Sequence, residues 1–113
     1  MSDLFRKLLA ERQAAPTSIT PTVGVLTLQF QLYGVDDLKA KRKVFNALRA
    51  LWGKEADLAV AETGDFEALD SATWSIVALG GSSQQLTARL DQVEKAIAQK
   101  IDAPIVEVHR EIL

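Results

Sequence analysis

From Val23 to Tyr33 the sequence VGVLTLQFQLY alternates, with Leu26, Leu28, Phe30 and Leu32 on one side and Thr27, Gln29 and Gln31 on the other. Side chains of a strand point to opposite faces in turn, so this segment predicts a strand with one covered face. A half-covered sheet needs a second layer. In a chain of 113 residues that layer is expected to come from the same single domain, which is large enough to hold one core without staples.

The periodicity then switches to that of a helix. Gly34 and the pair Asp36-Asp37 punctuate the chain, and from about Leu38 to Trp52 the residues Leu38, Val44, Phe45, Leu48, Leu51 and Trp52 gather on one stripe. Asp36 or Asp37 is expected to cap it. DLAVAE (57–62) and ATWSIVAL (72–79) read as strands joined by the acidic connection TGDFEALDS. Ser82 with Gln85 is a capping-box pattern opening a second helix, whose Leu86, Leu90, Val93, Ile97 and Ile101 share a face. Pro104 introduces a last strand, IVEVHREI. The order strand, helix, strand, strand, helix, strand predicts an α+β fold. It is the βαββαβ ferredoxin-like two-layer sandwich, two helices on one face of a four-stranded antiparallel sheet.

Residues 22–113 form this domain, and 1–21 precede it as an amphipathic helix and a linker. Residues 3–14 place Leu4, Phe5, Leu8 and Leu9 on one helical face, and Pro16 and Pro21 keep the following segment extended. Charges among these leucines rule out the apolar run of a signal peptide, and no segment reaches the roughly 18 apolar residues of a membrane helix. The absence of cysteine excludes disulfides and thiolate chemistry. A cytoplasmic protein is expected.

By alternation the open sheet face receives Thr27, Gln29, Gln31, Ala59, Ala61, Thr73, Ser75, Glu107 and His109. That face is small and polar, and it lacks the exposed aromatics with which such sheets stack RNA bases. It is solvated, pairs with a second subunit, or is covered by the helix of residues 3–14. Covering is favoured, because Leu4, Phe5, Leu8 and Leu9 need an apolar partner.

The segments VGVLTLQFQLYGVDDLKAKRKVFNALR, LAVAET, ATWSIVALGGS, LDQVEKAI and IVEVHREIL, taken in this order, resemble the YlxP-like family of small bacterial proteins. The resemblance covers about residues 22–113. It implies the ferredoxin-like fold already reached from periodicity. Because members are often encoded near translation and ribosome-maturation factors, it also implies a connection to RNA or the ribosome. The family pattern has serine before the LK pair where this chain has Asp37, a change that keeps the capping role.

The chemistry of the chain concentrates in DLKAKRK, at the start of the first helix. With a net charge of −2 the protein has no global attraction for nucleic acid, so a local basic patch must carry any such binding. At roughly 100° per residue, Lys39 and Lys43 face solvent while Arg42 and Arg49 border the apolar stripe. Lys41 falls inside the stripe. Its stem is expected on the core rim, with its charge either snorkelling outward or paired with a carboxylate such as Glu62. The helix dipole disfavours cations at a helix start by roughly 0.3–1 kcal/mol each. Their presence there points to an anion, and phosphate is the natural one.

Glu107 with His109 makes only two of the three or four ligands of a metal site, and Glu62, Asp65, Glu67 and Asp70 lack fixed ligand spacing. Gly80-Gly81 reads as a strand-to-helix turn, and Trp52 and Trp74 as core. No catalytic constellation, cofactor or metal is expected. Two functions follow. One is a nonenzymatic accessory factor binding structured RNA or a ribosomal subunit through Lys39, Lys41, Arg42, Lys43 and Arg49, with no DNA partner expected. The other is a homo-oligomeric or protein-interaction module using the open sheet face and Leu4, Phe5, Leu8 and Leu9.

Overall fold

The computed structural model describes residues 3–4 and 20–113. Most of the helix expected at residues 3–14 and of the linker after it, with Phe5, Leu8 and Leu9, therefore lies outside the described residues; Leu4 is exposed. The elements are β1 (Thr22–Gln31), α1 (Leu38–Leu51), a 3-10 turn (Trp52–Lys54), β2 (Leu58–Gly64), β3 (Ser71–Gly80), α2 (Ser83–Lys100) and β4 (Ile105–Ile112). The four strands form one sheet in the order β2-β3-β1-β4, with every neighbouring pair antiparallel. This α+β arrangement is compatible with the ferredoxin-like sandwich.

Parity works as expected along β1. Leu26, Leu28 and Phe30 are fully buried and meet Ile76, Trp74 and Ala72 across β3, all on the helix-covered side. The core closes with Phe45 and Leu48 of α1 and Leu86, Leu90, Val93 and Ile97 of α2. Gly24 occupies a helix-facing position of β1, where an added Cβ would lie 3.0 Å from Leu90 Cδ1. A side chain there would force the Leu90 and Ile112 side chains to shift by a few tenths of an ångström. At Gly34 the chain turns out of β1 with φ +68°, a conformation that glycine adopts without steric cost.

The opposite face carries Thr27, Gln29, Thr73, Ser75, Ala59, Ala61, Glu107 and His109, as alternation requires. Ser75 Oγ lies 2.8 Å from both Thr27 Oγ1 and Thr63 Oγ1, making a hydroxyl chain across three strands. One end of this face is apolar rather than small and polar. Val25 pairs with Val77 and Val23 with Leu79, and Leu79 is 56% exposed. The same alternation that places Thr27 places these residues, so the apolar end follows from register.

Both edge strands carry an irregularity, in β4 opposite Gln29/Phe30 and in β2 between Glu62 and Gly64. Such breaks interrupt the straight edge that another strand would extend. Arg110, on the helix side of β4, donates to Asp91 at 2.7 Å and Glu94 at 3.0 Å, both on α2. Arg89 of α2 makes a two-point pair with Asp57 at the start of β2, at 2.9 and 3.1 Å. These ion pairs tie α2 to both edges of the sheet.

Candidate functional site

The helix start of α1 is set by Asp37, whose backbone is extended and whose Oδ1 accepts from Ala40 N at 2.7 Å. This satisfies one of the amides that a helix leaves open at its N-terminus. No acidic residue follows in the first turn.

The buried stripe of α1 is Lys41, Phe45 and Leu48, continued by Trp52, while Leu38 and Leu51 stay on the exposed side. Spacings of four, three and four residues keep these side chains on one helical face. Lys41 thus occupies a core position. It is only 3% exposed, and its Nζ donates to the carbonyl oxygens of Asp65 and Ala68, both at 2.6 Å. Glu62 Oε2 lies 4.0 Å away. The expectation that this ammonium snorkels outward is corrected here. Pairing toward Glu62 holds at salt-bridge distance, and the closest contacts are two backbone carbonyls. A buried ammonium is costly unless its protons find acceptors, and the β2–β3 connection supplies them.

That connection is shaped for this role. Asp65 adopts φ 56°, its Oδ2 accepts from Thr73 Oγ1 at 2.8 Å, and its carbonyl also receives Ala68 N at 3.2 Å. The segment thereby turns back over the N-terminal half of α1. Between the two carbonyls that Lys41 holds lie Phe66 and Glu67, and Phe66 is 57% exposed.

Beneath the connection is a cavity of about 350 Å³. Arg42, Asn46 and Arg49 of α1 form one side, Phe66, Glu67 and Glu62 the other, and Phe45 and Trp74 line it from the core. Phe45 stacks edge-on against Phe30 at 5.0 Å between centroids and lies 5.7 Å from Trp74. The Arg49 guanidinium sits over the Trp74 ring, 5.4 Å from its centroid, an attraction between a cation and the negative face of the ring. Trp74 is core, as expected, yet it also lines the cavity. Its Nε1 is the one buried side-chain polar atom among the described residues that lacks a hydrogen-bond partner.

Of the predicted site residues, Lys39, Arg42, Lys43 and Arg49 are exposed. Among the described residues none of these four forms an ion pair, whereas Arg89 and Arg110 each meet two carboxylates. The structure brings Arg42 and Arg49 together on one wall of the cavity, and Lys41 lines the same cavity from its buried position, with its ammonium held by the Asp65 and Ala68 carbonyls. Phe66 and Asn46 were not singled out from sequence, and Glu67 was weighed only as one of four acidic residues without ligand spacing. An aromatic residue inside an acidic connection is the signal that could have found Phe66.

The remaining clusters are accounted for locally. Gly81 N donates to Gln85 Oε1 and Gln85 N to Ser82 Oγ, so the glycine pair belongs to the cap of α2. Glu107 and His109 lie on the open face, and among the described residues no third ligand joins them in a group suited to a metal. No helix among the described residues is long and apolar enough to cross a membrane.

A comparison with curated proteins finds no match. The profile described as "Protein of unknown function (DUF503)" matches residues 23–110, from the second residue of β1 into β4. The chain therefore belongs to the DUF503 family.

Proposed function

We propose that the protein is a nonenzymatic cytoplasmic accessory factor that contacts the phosphates of structured RNA, as part of a ribosomal subunit or its precursor, through the exposed face of α1. The observation that carries this reading is the contrast between arginines. Arg89 and Arg110 are neutralised by neighbouring acids, while Arg42, with Lys39 and Lys43 beside it, presents charge to solvent at a helix start where stability alone favours acids. Arg49 extends the basic line two turns further.

Asp37 already supplies the capping anion, so phosphates meet side chains here rather than helix-terminal amides. Lys41 contributes by holding the adjacent connection in place. The likeness to YlxP-like bacterial proteins supports a partner in translation.

The test is co-sedimentation with ribosomal subunits across a salt series, comparing the protein with a folded Lys39→Glu, Arg42→Glu, Lys43→Glu variant. Lys41 is left intact because of its structural contacts. Salt-sensitive binding that is lost in the variant supports the reading, with the logarithmic salt slope set by about 0.7–0.9 per phosphate contacted. Binding that ignores salt, or survives charge reversal, overturns it.

A second reading rests on the apolar end of the open sheet face, where Val23, Val25, Val77 and Leu79 converge. Contiguous apolar surface of this kind marks interaction sites. We infer for this reading that a second copy, or Leu4, Phe5, Leu8 and Leu9 of the same chain, covers it. Molar mass in solution for the protein, for Leu79→Glu and for a chain without residues 1–20 separates the two coverings. A monomer whose stability is indifferent to both changes overturns this reading.

A further inference from the structure

Contacting phosphates requires only exposed cations and leaves the cavity beside them unexplained. We propose that this cavity receives one unpaired nucleobase of the bound RNA, an inference that rests on the RNA reading and specifies how the RNA is recognised.

The argument starts from the pair of hydrogen bonds that Lys41 makes. Its ammonium holds the carbonyls of Asp65 and Ala68, which bracket Phe66 and Glu67. A surface segment carrying an exposed aromatic ring is thereby fixed over a concave site. Ordering the segment before a ligand arrives removes part of the entropic cost of binding.

The lining suits a base better than a featureless anion. Phe66 and Trp74 supply flat apolar surface, and unpaired bases are recognised by stacking on aromatic rings and guanidinium planes. The Arg49 guanidinium carbon lies over the Trp74 ring, 5.4 Å from its centroid, so the guanidinium and the exposed Phe66 ring are the stacking surfaces open to a base. Asn46 and Glu67 offer an amide and a carboxylate to the edge of a base, whose exocyclic amines donate and whose ring nitrogens and carbonyls accept. Arg42 and Arg49 stand at the same wall, where the flanking phosphates would lie.

One further observation agrees. At about 350 Å³ the cavity falls at the small end of ligand sites, roughly 300–1,000 Å³, a size for one nucleotide unit. A duplex keeps its bases stacked and paired, so the partner must offer a loop, bulge or single strand.

The test compares RNA octanucleotides A8, C8 and U8 with an abasic octamer carrying the same phosphates, titrated against the full chain, its Phe66→Ala and Phe66→Tyr variants and the charge-reversal variant. Phe66 is exposed, so its replacement leaves folding intact. The expected result is that at least one base-bearing octamer binds about tenfold tighter than the abasic one. Phe66→Ala removes this advantage, Phe66→Tyr keeps it, and charge reversal weakens all octamers. If all octamers, abasic included, bind alike and with the same salt dependence, the cavity proposal falls and phosphate contact stands. A base advantage that survives Phe66→Ala also overturns it, by placing the base elsewhere. No binding by any octamer, together with no ribosomal co-sedimentation, overturns both readings.

Discussion

Lys41 Nζ and the carbonyl oxygen of Asp65 lie 2.6 Å apart, joining the buried stripe of α1 to a connection that begins more than twenty residues later. With the parallel contact to Ala68, this makes a charged side chain part of the packing that shapes the candidate site. Replacing Lys41 by Met keeps the stem and removes the ammonium. The expected loss is about 1.5–3 kcal/mol, the range for hydrogen bonds to charged groups and for carbonyls left unpaired. Urea denaturation at neutral pH measures it, and an unchanged midpoint would show that the connection re-forms its hydrogen bonds with water.

Asp37 is expected to act through its oxygen alone. Asp37→Ala should cost about 1 kcal/mol, within the usual 0.5–2 kcal/mol of a lost cap, while Asp37→Ser should keep most of the stability. Thermal or urea unfolding of the two variants decides the point. If serine is as costly as alanine, the Asp37 charge rather than its capping bond matters.

Trp74 carries an unpaired indole N–H in the core. Trp74→Phe removes that donor as well as one ring, so the loss of packing is offset, and the net change is expected within about 1 kcal/mol. Phe45→Ala, which opens the centre of the aromatic cluster, is expected to cost about 3–5 kcal/mol. Equal costs for the two variants in urea unfolding would argue that the indole N–H is satisfied in solution.

The Asp57–Arg89 pair gives a pH signature. The hydrogen bonds from Arg89 hold the Asp57 carboxyl below its usual range, so the folded state favours the ionised form. The contribution is present above the unfolded-state value of about 3.9 and is lost as pH falls through the lower folded-state value. Because the carboxylate is 40% exposed, Asp57→Asn should cost only about 0.5–1 kcal/mol at pH 7. Against the wild type, the difference should shrink below about pH 3.9 and vanish once the carboxyl is protonated in both states. A difference independent of pH would mean that the amide disturbs packing instead.

The covered face of β1, the caps at Asp37 and Ser82 and the apolar face of α2 were legible in the residues themselves. Each depends on side chains two, three or four positions apart, and local backbone geometry fixes those relations before any tertiary contact forms. Even the apolar end of the open sheet face was implicit, since Val25 and Val77 share the parity of Thr27 and Ser75. The basic cluster was equally visible as a run of charge, and periodicity correctly set Arg42 and Arg49 along one border of α1.

What periodicity alone could not assign was the fate of Lys41, or the cavity walled by Phe66, Asn46 and Trp74. Lys41 meets its carbonyl partners across 24 and 27 residues of sequence. Whether an ammonium inside an apolar stripe reaches water or finds acceptors depends on the path of the β2–β3 connection. That path is set by the φ of Asp65, its bond to Thr73 and the break in β2 after Glu62. The sequence by itself determined the elements and which face each one covers, because these follow from short-range geometry. Only the tertiary structure decided which cations are buried or paired and which face solvent, because desolvation and pairing depend on neighbours that folding brings from afar.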